Sequence, residues 1–477
     1  MPFKDLRDFI AKLEQEGEAQ RIEEEVDWNL EAGAMVRRAN EEGLPAPFFQ
    51  KIKDYPAGYT LFGGPLAKIS RVAIALDMAP DTPYKEVVEE YIRRTQKPIK
   101  PVLVSHGPCK ENIHVGNEVD LLEFPAPMIH HGDGGRYFAT MHLNITKDLD
   151  SDWINWGMHR GMLQNKNAIG ILAGAGPATH FMMISRSWES RNKPMEIAIV
   201  IGTEPVSSIC AASPIPYGVS EVDIAGGMRG EPVELVKCET IDLEVPATSE
   251  IVIEGEMRTD DTMEEGPFGE VTGYRTAGRV PKPVIRVKAI THRNNPIFTI
   301  SCMGAPIDDA QTIGSVSFGA DYLQALRERG FPVTGVYVSP EAATQVAVVA
   351  IKPPYANVAG EIAHVMWSRP QGRCLPYIIV VEDDVDPYNM NEVIHTLFSK
   401  CHPYRGIVRL EHSVGISLLP FLSSHERKFQ ISGRAYFDCT SPVEWAPEER
   451  PERVSFKQNY PAEVQRSALA KWAKYGY

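Results

Sequence analysis

Two carboxylates, Glu265 and Glu270, stand on either side of a Gly266-Pro267-Phe268-Gly269 turn. Glycine and proline at these positions exclude a regular helix, and so short a turn can aim both acids into one cavity. Two acids in one pocket cannot both ionise freely, so one keeps its proton near neutral pH, which is how a general acid is made. A surface turn with solvated acids is the competing reading. Upstream, Ile154-Asn155-Trp156-Gly157-Met158-His159-Arg160 sets Asn155 and Arg160 in an otherwise apolar run. Arginine offers a planar fork that grips a carboxylate with two hydrogen bonds; an arginine in a surface hairpin is the alternative. His180 and Glu221 add a nitrogen and an oxygen donor. With the Asn155 amide oxygen they make an N/O set suited to Mn²⁺ or Mg²⁺, if the fold brings them together. His130-His131-Gly132-Asp133-Gly134-Gly135 and the acidic string Glu382-Asp383-Asp384-Val385-Asp386 have commoner explanations, a histidine-bearing loop and a solvated turn with a helix cap. Phosphate-binding and dinucleotide glycine loops, a nucleophile elbow and a His-Glu-x-x-His motif are all missing.

The elements that must position these groups read from periodicity. Phe3, Leu6, Phe9, Ile10 and Leu13 share one helix face, and Gly17 ends that helix. Residues 27–43 are helical again, and Pro83 opens a helix over 82–95. Residues 1–115 are expected to form an N-terminal α/β domain. Residues 116–316 carry apolar or alternating runs at 141–146, 195–201, 250–257 and 284–290, which predict strands, with a connecting helix at 181–191. This middle domain reads as a barrel or sandwich. From 317 to 477 α/β alternation returns: helices at 320–329, 361–368 and 390–399, strands at 335–338 and 377–381, an apolar run at 342–351, and a short terminal helix near 462–475. The fold class is α/β (α+β).

The chain of 477 residues has a net charge of −14, which argues against a nucleic-acid partner held by a general basic surface. Apolar runs such as 377–381 and 416–422 are too short for a membrane span, and the N-terminal stretch has no apolar signal core. Seven cysteines without a Cys-x-x-Cys pair read as reduced thiols of a cytoplasmic protein. The apolar runs 342–351 and 416–422 are expected to supply an oligomer interface.

Taken together, Lys4-Asp5-Leu6-Arg7, Asn155-Trp156-x3-Arg160, Pro214-Ile215-Pro216-Tyr217-Gly218-Val219-Ser220-Glu221, Glu265-Gly266-Pro267-Phe268-Gly269-Glu270, His292-Arg293-Asn294-Asn295-Pro296 and Phe437-Asp438-Cys439-Thr440-Ser441-Pro442 resemble the UbiD-like decarboxylase family over nearly the whole chain. The resemblance implies a central split β-barrel that binds prenylated FMN, a divalent ion, usually Mn²⁺, and often K⁺. It implies a prenyltransferase that supplies the cofactor, and homodimers or hexamers. It marks Asn155, His180 and Glu221 as metal ligands bridging to the cofactor phosphate. Trp156, Met158, His159, Arg160, Leu172, Ala173, Gly174 and Thr179 are implied as further cofactor contacts, and Arg160, Glu265 and Glu270 as a catalytic network. Arg369 stands where some relatives carry a cofactor-contacting lysine. The implied reaction is the reversible non-oxidative decarboxylation of an aromatic or heteroaromatic acid, releasing CO₂. Losing CO₂ from an sp² carbon requires an electron sink that only a cofactor provides. Glu270 is the expected proton donor, with Arg160 orienting the carboxylate. Met303, Ile307, Phe318 and the loops near 425–440 are expected to shape the substrate pocket, with Phe437–Asp438 and the residues up to 442 leaning towards hydroxybenzoate-type acids. A non-catalytic flavin- or metal-binding scaffold, or a flavin oxidoreductase on the same barrel, are the alternatives.

Overall fold

The computed structural model describes residues 3–172, 179–276 and 278–476. Helix Leu6–Gln15 begins the chain, capped by the Asp5 carboxylate, and buries Leu6, Phe9, Ile10 and Leu13, the face expected from their 3.6-residue spacing. Strands Ala19–Val26, Ala46–Ile52 and Thr60–Gly63 form a small sheet, completed by Ile297–Ile300 paired in parallel with Thr60–Gly63.

The largest sheet orders its strands Tyr137–Ala139, Gly161–Asn165, Ala168–Ile171, Val280–His292, Ile251–Glu265, Met195–Ile201, His142–Lys147 and Ile154–Gly157, with Asn112–Val115 added to Val280–His292. Ile154–Gly157 ends one side of this order, and Gly161–Asn165 lies next to the opposite end. Residues 158–160 alone join the two. On a flat sheet six strand spacings would separate them, about 29 Å, yet four Cα–Cα steps reach at most about 15 Å. The sheet must therefore curl until its two margins meet, giving a barrel split along a seam that residues 158–160 bridge. Along Met195–Ile201 side chains alternate, Ile197, Ile199 and Ile201 joining one apolar core and Ala198 and Val200 the other.

A five-stranded sheet in the order Val333–Val338, Val346–Ile351, Tyr377–Glu382, Ile431–Asp438, Ile407–Val414 forms the C-terminal unit. The three units interleave. Strand Asn112–Val115 belongs to the barrel sheet, and helix Asp309–Glu328 runs across residue 316. Side chains from Ala347 to Ile351 are fully buried in the second strand of the C-terminal sheet. This corrects the expectation of an interface there: the apolar run is core. Large exposed apolar side chains lie instead near the C-terminus, at Val454, Phe456, Leu469 and Trp472 among others.

Candidate active site

The seam residues and the C-terminal unit enclose a cavity of about 470 Å³. Asn155, Trp156, Met158, His159, Arg160, Leu172, Thr179, His180, Glu221 and Glu270 all line it. Positions separated by more than a hundred residues in sequence thus converge. Ala173 and Gly174 lie outside the described residues. Glu265 does not line the cavity.

Arg160 precedes strand Gly161–Asn165, and its carbonyl accepts from Leu172 N–H at 3.2 Å. Its guanidinium donates to Glu265 through Nε (2.8 Å) and Nη2 (3.0 Å), a bidentate pair, and through Nη1 to Glu270. Glu265 is the last residue of strand Ile251–Glu265, paired with Val280, so it is fixed by the sheet. Glu270 belongs to the turn that follows. The Tyr137 hydroxyl donates to Glu265 at 2.9 Å, and Phe268 packs 5.3 Å from the guanidinium. Both glutamates are almost fully buried. Burial pushes Glu270 above the ordinary carboxyl value, outweighing the attraction of Arg160, and the neighbouring Glu265 charge adds to the rise. Two carboxylates share one guanidinium here, so a fully ionised trio would carry an excess negative charge in a dry site. Burial thus favours the protonated form of Glu270, which has one arginine contact and lines the cavity.

The His130–Gly135 segment is the scaffold of this turn. Asp133 accepts from His130 Nδ1 at 2.9 Å and from Gly269 N–H at 3.0 Å, and Gly134 N–H donates to Pro267 O at 2.7 Å. A Cβ on Gly134 would stand 1.9 Å from Gly266 O, so only glycine lets the two loops approach. The acidic string is a turn: Glu382 bonds Lys400 and Ser441 N–H, and Asp386 accepts from Tyr388 N–H at 3.0 Å.

The metal candidates occupy three elements. Asn155 is buried within strand Ile154–Gly157, and His180 and Glu221 open helices His180–Ser190 and Glu221–Arg229. The loop before the second helix is knitted to the strand: Trp153 Nε1 donates to Val219 O at 3.0 Å, Ile154 N–H to Ser220 Oγ at 3.2 Å and Trp156 N–H to Glu221 Oε2 at 2.8 Å. These bonds bring Asn155 and Glu221 together. Burial pushes Glu221 up to about 8, against the Trp156 bond, and no basic side chain pairs with it among the described residues. A buried carboxylate with only a backbone donor suits a bound cation. Burial also lowers His180, and holds His142 and His159 near 4, as neutral imidazoles. The two helix N-termini add the partial positive charge that phosphate groups favour. The donor set, the helix ends and the cavity fit a phosphate-bearing cofactor held through a divalent ion.

The open position, Arg369, is placed away from the cavity, and two expectations are corrected. Arg369 turns to Asp321, with Nε 2.8 Å from Oδ2, and is absent from the cavity wall, where Arg373 stands instead. Met303 and Phe318 line the cavity, but Ile307 and the 425–440 loops do not; Ile416 and Leu418 take that place. Asp438, Thr440, Ser441 and Pro442 line a separate polar pocket and give no reading of substrate. Arg373 and Tyr137 escaped sequence reasoning because each is a lone residue whose role depends on pairing across the fold.

Residues 10–91, 100–306 and 311–439 match the N-terminal, Rift-related and C-terminal domains of the 3-octaprenyl-4-hydroxybenzoate carboxy-lyase (UbiD) family. A pyrrole-2-carboxylic acid decarboxylase of Pseudomonas aeruginosa is 33% identical over 99% of this chain and 98% of its own. The closed form of vanillic acid decarboxylase from Sedimentibacter hydroxybenzoicus superposes with a TM-score of 0.89 at 30% identity, covering 99% of this chain and 100% of that one. An evolved dimeric form of the UbiD-class enzyme HmfF from Pelotomaculum thermopropionicum, in complex with prFMN, gives 0.82 at 27% identity, covering 98% and 100%. With all three domain models matched in order and relatives alike from end to end, the chain belongs to the UbiD family of carboxy-lyases.

Proposed function

We propose that the chain is a prenylated-FMN-dependent carboxy-lyase acting on an aromatic or heteroaromatic acid, with Arg160 holding the carboxylate and Glu270 donating the proton. The observation that carries this reading is the asymmetry of the trio: Glu270 lines the cavity and Glu265 does not. Three of the five Arg160 donors go to the glutamates, leaving one N–H on each Nη, a fork matched to a substrate carboxylate. When the carbon–carbon bond to CO₂ breaks, the electron pair stays on the ring carbon. Prenylated FMN, when bound, supplies the electron sink for that pair. Glu270 then delivers its proton to the same carbon, and Glu265 keeps Arg160 aligned. Met303, Phe318, Ile416 and Leu418 offer apolar contacts to an aromatic ring and exclude water.

Asn155, His180 and Glu221 would hold Mn²⁺ or a similar divalent ion against the cofactor phosphate, and Arg373 would add a further positive charge. K⁺ and a cofactor-supplying prenyltransferase are carried by the family resemblance. Seven free cysteines support a reducing, cytoplasmic setting, and no described helix is long and apolar enough to cross a membrane. The exposed apolar side chains at 454–475 support a homodimer or larger assembly; light scattering giving the mass of a single 53.0 kDa chain at micromolar concentration would refute it. The test of the activity is CO₂ release from a panel of aromatic acids by cofactor-loaded enzyme, with Arg160→Ala as control. Turnover should vanish in the variant while the flavin spectrum persists. Equal turnover in both would remove the assignment.

A further inference from the structure

Strand Asn112–Val115 pairs with the end of Val280–His292, with His114 opposite Ile290. His292 lies two residues further along the same face, so the two imidazoles meet diagonally across the ladder. Their Nε2 atoms are 3.2 Å apart. The Nδ1 of His292 lies 2.8 Å from the carbonyl of Arg293; a carbonyl only accepts, so that nitrogen carries the proton and His292 Nε2 presents a lone pair to His114. The short helical turn Leu121–Glu123 brings a carboxylate to the same spot, and one donor atom from each of His114, Glu123 and His292 lies within 4.8 Å of the others. The groups that would fix these donors are present. The Tyr59 hydroxyl donates to Glu123 Oε1 at 2.8 Å, and Phe124 sets its edge against the His292 ring, centroids 5.3 Å apart. His292 is buried, while His114 and Glu123 are half-buried, so an ion could enter from solvent. None of the three lines the catalytic cavity.

We propose that His114, Glu123 and His292 form a second metal site, which takes a borderline divalent ion of the zinc type. Two nitrogens bound tetrahedrally to Zn²⁺ at about 2.0–2.1 Å stand about 3.3 Å apart, close to the separation of the two imidazoles. Two imidazoles and one carboxylate are a donor set that zinc takes with water in the fourth position. The ion ties an added strand, a barrel strand and the 121–123 turn into one unit. Its role is structural, since the substrate cavity lies elsewhere.

The full-length chain, stripped by a chelator and titrated with Zn²⁺ or Co²⁺, tests this. Glu221→Ala serves as background because it removes a ligand proposed for the catalytic ion. That background should still bind one Zn²⁺ and show the intense visible bands of tetrahedral Co²⁺. Adding His114→Ala or Glu123→Gln should weaken this binding at least about 100-fold, with the far-ultraviolet circular dichroism unchanged. A background that binds no Zn²⁺, or one that binds it equally with both added substitutions, would overturn the proposal and leave a plain imidazole–imidazole hydrogen bond. Should the assignment of Glu221 to the catalytic ion fail, Glu221→Ala will bind as many ions as the parent. The His114 and Glu123 arms then still decide the second site.

Discussion

Two clusters of arginine and carboxylate are built from the same parts to opposite ends. In the seam, one guanidinium serves two carboxylates. Around Glu250, two guanidiniums serve one fully buried carboxylate: Arg7 grips it through Nε and Nη2, both at 2.8 Å, and Arg293 Nη1 stands 3.4 Å from Oε1 and 2.8 Å from Asp5. Arg7, Arg293, Glu250 and Asp5 balance in charge, and Glu250 also accepts from Ile297 N–H at 3.1 Å. Arg7 reaches the carbonyls of Asn294 and Asn295 as well. This cluster clamps the first helix to the barrel. It has no surplus charge to resolve and lines none of the cavities described. The seam trio has the surplus and opens onto a cavity, which suits the proposed role of Glu270 as proton donor. The difference between clamp and acid is stoichiometry and access rather than residue type.

The largest effect is expected at Glu250. Glu250→Gln should cost about 3 kcal/mol of stability, because it removes the buried carboxylate charge that Arg7 and Arg293 share, while the folded fraction keeps its turnover. Urea unfolding and CO₂ release on the same preparation measure both; lost turnover with full stability would invert the assignment. The counterpart, Glu270→Gln, should slow decarboxylation at least about 10²-fold, or roughly 2.7 kcal/mol of barrier, and leave the urea midpoint unchanged or raised. A variant that is destabilised yet active would make Glu270 another clamp.

The pH dependence sharpens the same contrast. Glu270 in the folded chain holds its proton above the ordinary carboxyl value of 4.5. Its protonated form therefore favours the folded state fully below that value. This contribution is lost as pH rises from there through the folded pKa, and turnover falls as the proton leaves. Relative to Glu270→Gln, the parent should lose stability across that window, and the alkaline fall in rate should be missing from the variant's residual activity. Identical pH profiles would place the titrating proton elsewhere. The smallest effect is expected at Arg7→Lys. The Arg7 side chain is 37% exposed, so losing the fork should cost about 1 kcal/mol or less, with no change in rate.

Sequence reading went furthest where chemistry is local. The glycines and proline of the 266–269 turn announce a non-helical bend, and its flanking acids announce a paired site. Asn155 and Arg160 stood out as polar groups in an apolar run. The 342–351 run misled because apolar composition does not say whether a strand lies inside a sheet or at its margin. Whether Arg369 reaches the cavity was not legible, because its partner, Asp321, is set by packing of helix Asp309–Glu328. The pair His114 and His292 is separated by 178 positions and carries no local pattern at all. The motifs around Asp5 and His292 helped to identify the family, yet the structure makes Asp5, Arg7 and Arg293 parts of the clamp.

The cavity has two walls of different origin. The barrel side contributes Asn155, Arg160, Glu221 and Glu270; the C-terminal side contributes Phe318, Arg373, Ile416 and Leu418. Inheritance can therefore act on them separately. Changes at Phe318, Ile416 or Leu418 can alter which ring is accepted without disturbing the residues proposed to hold the proton and the metal. A lineage can explore new acids by drift on one wall while selection keeps the other still.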